Sequence, residues 1–369
     1  MKLLKIERDA FLAPLAAVSG IVEKRHTLPI LSNVLLDCRK DEVLLTATDL
    51  EIQISTTCHA AGANADDSRV TVAARKLQDI LRALPEEAKA TLEIQGNRML
   101  VKTASSRFSL QTLPAADFPV MADGGSRLTR VNLPQGQLRE LFHLVHYAMA
   151  QQDIRYYLNG LLLVVEGSEL RVVATDGHRL SYAAGAISSQ EEKREVILPR
   201  KAVQELVKLL ADSDEEIAID LFPSQVRFVF GKIELVTKVI DGKFPDYGRV
   251  IPVNYRNQIA LSRAGLQQAL QRAAILSNDK VRGVRWLLTT NILKISCSNN
   301  EQEEAQEELE VQYAGDPLDI GFNVNYLLDV LANVSSETVN CSFGEATSSM
   351  LVTVPDKPDF KYVVMPMRI

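Results

Sequence analysis

The chain has 369 residues, 46% of them hydrophobic and 24% charged, with a formal net charge of -6. That length exceeds what one hydrophobic core usually serves, so two or three domains are expected. The acidic balance excludes a protein that coats nucleic acid with its whole surface, but not one carrying a basic stripe, because field depends on where charges sit.

The N-terminus, MKLLKIERDAFLAPLAAVSG, lacks a long uninterrupted apolar run, and no stretch approaches the roughly 18 apolar residues of a membrane span. A soluble, cytoplasmic protein is the expectation. Cys38, Cys58, Cys297 and Cys341 lie far apart with no CxxC, which disfavours a zinc site and a disulfide framework and leaves reduced, buried thiols.

Taken in chain order, three segments share one plan. Each opens with an amphipathic helix: ERDAFLAPLAAVSGIVEKR from Glu7, PQGQLRELFHLVHYAMAQQ from Pro134 and SRAGLQQALQRAAILS from Ser262. Apolar residues recur at three and four, as in Leu138, Leu141, Phe142, Val145 and Ala148, which predicts one buried face. Pro134 suits a helix start and Ser262 an N-cap. Runs of β-branched and aliphatic residues follow, LPILSNVLLDC, YLNGLLLVVEGSELRVVATD and GVRWLLTTNILKISCSNN, in which Gly, Asn and Ser predict hairpin turns. A second short helix comes next in each: KLQDIL from Lys76, AVQELV from Ala202 and YLLDVL from Tyr326.

The landmarks keep step. TATD ends at Asp49 and VATD at Asp176, 127 residues on; DFP and KFP place Phe118 and Phe244 126 apart. Coincident offsets at independent landmarks predict an internal triplication. The reading is three α+β domains, residues 1–126, 127–255 and 256–369, each with two helices and antiparallel sheets. GGS at 124–126 and PVNYRNQ around 252–258 serve as linkers.

No nucleotide-binding, metalloprotease or hydrolase motif is present. His143 and His146 have helical i, i+3 spacing that suits a metal, against which packing or surface roles weigh more. Asp176-Gly177-His178-Arg179 has acid and base groups, but a tight hairpin turn with Gly at the unusual backbone angle is the stronger reading. The run EQEEAQEELE, 301–310, is a solvated face or, alternatively, a contact for basic Lys76, Arg98 and Arg107. Basic residues recur beside the helices: Lys24 and Arg25, Arg75 and Lys76, Arg155, Arg200 and Lys201, Arg272. Singly they mean solubility; together they make a stripe that meets phosphates by charge. In QQDIRYYLNG, Arg155, Tyr156 and Tyr157 stand together as a contact surface.

With RHTLPILSN, RFSLQTLPAADFP, QDIRYYLNG, VATDGHRL, GKFPDY, AAILSN, GFNVNY and the terminal YVVMPMRI, the chain closely resembles, end to end, the bacterial sliding clamps, the beta subunits of DNA polymerase III. The resemblance implies a DNA clamp fold of three domains that closes as a head-to-tail dimeric ring around duplex DNA, helices inside and sheets outside. It implies no bond chemistry, no cofactor and no metal. The partners it implies are double-stranded DNA, a second copy, the polymerase III alpha subunit, a clamp loader ATPase, and other polymerases and repair proteins that carry a clamp-binding peptide.

By the same resemblance, Arg25, Arg75, Gln152, Arg155, Tyr156, Tyr157, Arg200 and Lys201 meet DNA. The tyrosines are able to stack on exposed bases, or one of them packs into the neighbouring pocket. A partner peptide similar to Gln-Leu-x-Leu-Phe would lie between domains 2 and 3. The second-domain positions for it are Leu158, Thr175, Gly177, His178, Arg179, Leu180, Pro245, Arg249 and Val250. The third-domain positions are Asn323, Tyr326, Ser349, Val363, Met365, Pro366, Met367 and Arg368. Adaptable Met365 and Met367 suit a groove that takes many related peptides. At the ring interface Phe108 and Leu110 would pair with Ile275 and Leu276, and Lys76, Arg98 and Arg107 with Glu301, Glu303, Glu304 and Glu307. Two positions depart from the family pattern: His26 where a proline is common, and Thr347 where an aliphatic residue often lines the groove. On the residues alone an enzyme using Asp176 and His178, and a protein scaffold that never meets DNA, stay open.

Overall fold

The computed structural model describes residues 2–23, 27–39, 41–60, 68–278 and 281–368, Lys2 by its backbone. Repeat 1 comprises β1 (Lys2–Glu7), α1 (Arg8–Ser19), β2 (Asn33–Arg39), β3 (Glu42–Thr48), β4 (Ile52–His59), β5 (Ser68–Ala73), α2 (Ala74–Ala83), β6 (Lys89–Gln95), β7 (Arg98–Lys102) and β8 (Arg107–Leu113). Repeat 2 comprises β9 (Thr129–Pro134), α3 (Gln135–Val145), β10 (Gly160–Thr175), β11 (Arg179–Pro199), α4 (Arg200–Leu209), β12 (Glu216–Leu221), β13 (Gln225–Phe230) and β14 (Ile233–Lys238). Repeat 3 comprises β15 (Asn257–Ser262), α5 (Arg263–Ala274), β16 (Gly283–Thr289), β17 (Ile292–Ser298), β18 (Glu304–Glu310), β19 (Leu318–Asn323), α6 (Val324–Asn333), β20 (Thr338–Phe343), β21 (Met350–Val354) and β22 (Lys357–Val364). The order β-α-ββββ-α-βββ recurs, with repeat 2 running its four central strands together as two.

That fusion corrects the hairpin expected inside YLNGLLLVVEGSELRVVATD. Gly167, at φ 61°, absorbs a register shift within the β10–β11 ladder instead of reversing the chain, because a bulge bends a strand without ending it. Two helix boundaries also differ from the expectation. The first helix starts at Arg8 and stops at Ser19, short of the basic residues. Pro134 ends β9, paired to Glu216, and the helix starts one residue later. Ser262 does cap α5, its hydroxyl accepting the Gly265 amide at 3.2 Å. The stripes expected on these helices are buried: Phe11, Leu15 and Val18 on α1, Leu138, Phe142 and Val145 on α3, Leu266 and Leu270 on α5. Each helix thereby covers a sheet face that would otherwise expose aliphatic residues.

The chain divides into two compact units that cut across the repeats: Met1–Gly136 with Gln204–Val239, and Gln137–Val203 with Ile240–Ile369. The sheets explain the cut. In the first unit a twelve-stranded sheet runs β1-β6-β7-β8-β5-β2-β3-β4-β14-β13-β12-β9, so β14 of repeat 2 extends the sheet of repeat 1 through β4. In the second unit a six-stranded sheet runs β10-β11-β22-β21-β20-β15, so β22 of repeat 3 extends repeat 2 through β11. A four-stranded sheet, β18-β17-β16-β19, completes that unit.

These are the same junction made twice. The last strand of one repeat pairs with the third central strand of the repeat before it: Gln53↔Val236 and Leu180↔Val363 occupy matching positions. The third central strand of repeat 3, β18, pairs among the described residues with β17 alone. The last strand of repeat 1, β8, pairs with β7 and meets β5 at Thr71↔Leu113 and Val72↔Thr112.

Candidate functional site

In the second unit Leu158, Leu180 and Val363 come together in one apolar cluster with Ala150, Leu162, Val164, Val173, Ile197 and Phe244. Leu158 ends a single helical turn, Tyr156–Leu158, while Leu180 and Val363 are direct partners across β11 and β22. Tyr157, Tyr247 and Ile251 pack against the cluster half-buried. Close in sequence to these cluster residues stand exposed ones: Met365 at 48% and Val250 at 43%, with Pro245, Gly177 and His178. A buried aliphatic floor under an exposed apolar rim is the composition of a site that takes apolar side chains.

The turn between β10 and β11 shapes one wall. Asp176 Oδ1 accepts the amides of His178 and Arg179 at 2.9 and 3.0 Å, and the Thr175 hydroxyl donates to the Arg179 carbonyl at 2.6 Å while accepting the Gly177 amide. Gly177 has φ 89°, a left-handed conformation that glycine adopts without strain, and a Cβ there would meet the Arg155 guanidinium at 2.9 Å and push it aside. The His178 carbonyl accepts the Met365 amide at 2.9 Å, which ties the C-terminal segment to the turn. Both oxygens of Asp176 are thus engaged in building the turn, the second by Arg179 Nε at 3.2 Å.

Arg179 is buried beneath the rim. It reaches Asp329 at 2.5 Å and the Tyr147 carbonyl at 2.7 Å, and its guanidinium lies 4.5 Å from the Tyr326 ring centroid. Burial alone would lower its pKa; Tyr362, Asp329 and Asp176 around it hold it raised. The neighbours are likewise fixed: Asn323 caps α6 at the Asn325 amide, the Tyr326 carbonyl accepts the Tyr362 hydroxyl at 2.8 Å, and the Ser349 carbonyl accepts the Tyr255 hydroxyl at 2.7 Å. Met367 donates its amide to the Gly321 carbonyl, beside half-buried Pro366 and exposed Arg368. Arg249 is exposed and paired with Asp246, and Thr347 is exposed in the turn before β21.

The basic set is spread over both units. Arg155 grips Asp153 through Nε and Nη2 at 3.0 and 2.8 Å and donates to the Asp176 carbonyl; these hydrogen bonds hold the Asp153 carboxyl down at about 2. Gln152 has φ 55° beside Ile154, which is almost wholly exposed. Tyr156 is exposed and Tyr157 turned inward, their rings edge-on at 5.9 Å. Arg200 donates to the Met149 carbonyl at 2.8 Å, with Lys201 next on α4. Arg75 places Nε and Nη2 on the Val22 carbonyl. Arg25 and His26 lie outside the described residues.

The expected interface residues lie on β7, β8 and α2 of repeat 1 and around the end of α5 and the start of β18 in repeat 3. On β8, Arg107 is exposed, Phe108 half-buried and Leu110 nearly buried, with Arg98 beside them donating to Ser109 and Lys76 exposed on α2. At the end of α5 Ile275 is 77% exposed and Leu276 half-buried. Glu307 on β18 is already held by Arg272 at 2.7 and 2.6 Å, while Glu301, Glu303 and Glu304 are exposed.

His143 and His146 do not share a helix, since α3 ends at Val145. Their rings meet edge to face at 5.6 Å, and burial lowers the pKa of both. Among the described residues no group of three metal-ligating side chains forms, and no helix is long and apolar enough to cross a membrane. Sequence reasoning missed Asp153, although it stands two residues before Arg155. It also missed Asp220, wholly buried and held by Arg130 at 2.7 Å, Arg227 at 2.7 Å and Arg127 at 3.4 Å.

Models of the DNA polymerase III beta subunit match the chain in three consecutive pieces: the N-terminal domain over residues 1–122, the central domain over 132–246 and the C-terminal domain over 248–368. The beta sliding clamp of Pseudomonas aeruginosa is 46% identical over 365 residues, and that of Escherichia coli K12 is 44% identical over 369, with 99% of both chains covered in each comparison. A solved sliding clamp from Pseudomonas aeruginosa bound to griselimycin has a TM-score of 0.95 at 44% identity, and polymerase III beta of Caulobacter crescentus one of 0.92 at 38%, each over 100% of both chains. Three clamp domains in order, over the full length of these relatives, place the chain in the DNA polymerase III beta subunit family, the bacterial sliding clamps that act as processivity factors in DNA replication.

Proposed function

We propose that two copies of this chain close head to tail into a ring around duplex DNA, and that the cluster around Leu158, Leu180 and Val363 is the floor of a groove for partner peptides. The observation that carries the ring is the missing third junction. Two repeat-to-repeat junctions are made inside the chain, β4 with β14 and β11 with β22. Of the strands for a third, β18 pairs among the described residues with β17 alone, and β8 pairs with β7 alone along residues 107–111 before Thr112 and Leu113 meet β5. An open strand edge is a template for another chain, and here the complementary edge is on a second copy. Ile275 and Leu276 against Phe108 and Leu110 supply apolar contact, and Lys76, Arg98 and Arg107 face Glu301, Glu303, Glu304 and Glu307 by charge, which orients more than it holds.

The ring is non-catalytic. Asp176 is committed to the turn, and the chain works by topology, so its phosphate contacts stay weak enough for sliding. Arg25, Arg75, Gln152, Arg155, Tyr156, Tyr157, Arg200 and Lys201 meet DNA, with Tyr156 free to stack on a base and Tyr157 part of the groove. Thr175, Gly177, His178, Arg179, Pro245, Arg249, Val250, Asn323, Tyr326, Ser349, Met365, Pro366, Met367 and Arg368 frame or brace the groove. Its occupants are peptides of the polymerase III alpha subunit, the clamp loader ATPase, and other polymerases and repair proteins. Domain boundaries fall after residues 126 and 255.

Sedimentation equilibrium tests the closing contact. The wild-type chain is expected at twice its 40.9 kDa mass, and Leu276→Asp at the single mass, because a buried charge at an apolar contact weakens association by roughly three orders of magnitude. A wild-type chain that stays single at micromolar concentration contradicts the ring.

A further inference from the structure

The junction of the peptide groove has a counterpart in the first unit, and the two match atom for atom along the backbone. Asp49 Oδ1 accepts the amides of Glu51 and Ile52, as Asp176 does those of His178 and Arg179. The Thr48 hydroxyl donates to the Ile52 carbonyl and accepts the Leu50 amide, as Thr175 does for Arg179 and Gly177. Leu50, at φ 77°, holds the left-handed position of Gly177, at φ 89°. The Lys238 amide donates to the Glu51 carbonyl at 2.9 Å, as the Met365 amide does to His178. By this register Gln53 stands for Leu180, Val236 for Val363 and Lys238 for Met365.

The chemistry differs where the backbone does not. In place of an aliphatic floor, the Gln53 side-chain oxygen Oε1 accepts the Met121 backbone amide at 2.9 Å, which fastens the linker after Phe118 over the seam. In place of the methionine rim, Lys238 pairs with Glu51 at 3.2 Å. Farther along the linker, a side chain at Gly124 would collide with Phe222 and Gln225, so the chain lies directly on them. A leucine or phenylalanine arriving here would have to displace the linker, strip the Gln53 amide of its partner and desolvate an ion pair. Leaving such groups unpaired under an apolar ligand discriminates strongly.

We propose that Gln53 and Lys238 are specificity residues that confine partner peptides to one groove per chain, by closing the β4–β14 seam with the chain's own linker. The inference rests on the β11–β22 seam being the groove. Calorimetric titration of the full-length protein with an acetylated Gln-Leu-Asp-Leu-Phe peptide tests it. Wild type is expected to bind one peptide per chain, and Gln53→Leu with Lys238→Met two, accompanied by faster hydrogen exchange at the Met121 amide. A wild-type chain that binds none overturns the groove reading itself. One peptide per chain in both proteins, with Met121 exchange accelerated, overturns this inference and leaves the groove standing. Should the double variant melt early, Gln53→Leu alone removes the acceptor that holds the linker; a benzophenone-bearing peptide is then expected to label the β4–β14 seam, and labelling confined to the Met365 side overturns the proposal.

Discussion

Two buried ions, one from each compact unit, have more partners than their charge requires. In the first, Asp220 is wholly buried under Arg127, Arg130 and Arg227, each partly exposed. In the second, Arg179 is buried between Asp176 and Asp329 with the Tyr326 ring beneath it. The arginines around Asp220 have water beside them and brace a sheet face. The aspartates around Arg179 are fixed by a turn and a helix, and that turn is one wall of the groove. The difference separates a charge cluster that holds strands together from one that holds a binding surface in shape.

Removing each ion is the strongest way to break this comparison. Arg179→Ala takes the shared partner from Asp176 in the turn and from part-exposed Asp329 on α6, and is expected to cost about 1–3 kcal/mol, seen in chemical denaturation, together with loss of peptide binding at Met365. Asp220→Ala leaves arginines that can turn to water, so about 1–3 kcal/mol is expected, with peptide binding unchanged. Equal losses of peptide binding in both variants would erase the distinction.

Acid separates the units more gently. Burial alone would raise the Asp220 pKa, but hydrogen bonds from Arg130 and Arg227 leave it lowered from 3.8. Its stabilisation is present above that value and fades as pH falls through the lower folded one. His143 and His146 are lowered from 6.5, chiefly by burial. The folded second unit therefore excludes protons that the unfolded chain would bind below about 6.5, and stability falls with pH there first. Trp286, the one tryptophan, is buried in β16 of that unit. Its urea midpoint is expected to drop between pH 7 and 5, and less so in a His143→Gln, His146→Gln variant, while exchange protection on β12 and β13 holds until nearer 4. The smallest effect expected is at the ring contact: Glu303→Gln, on an exposed acid, should shift dimerisation by about 0–1 kcal/mol, and a single-chain Glu303→Gln protein would contradict that.

The repeats were legible because their landmarks recur at nearly constant spacing, and α5 because Ser262 precedes a clean apolar stripe. Motif strings pointed to the family. Except for Asp153, two residues from its partner, what escapes sequence reading depends on long-range pairing: Asp220 meets Arg130 from 90 residues away, and Arg179 meets Asp329 from 150. The resemblance assigns Arg179 to the groove, and only the fold shows it buried. The fused strand β10 hides in the same way, since Gly167 reads as a turn until its ladder is seen.

The central claim is encirclement. After loading onto nicked circular DNA in moderate salt, the circle is cut once with a restriction enzyme and retention of the protein is measured. A ring stays on intact circles and runs off the cut ends. Protein that remains bound equally after cutting is held by phosphate contacts alone, and the ring account is then wrong.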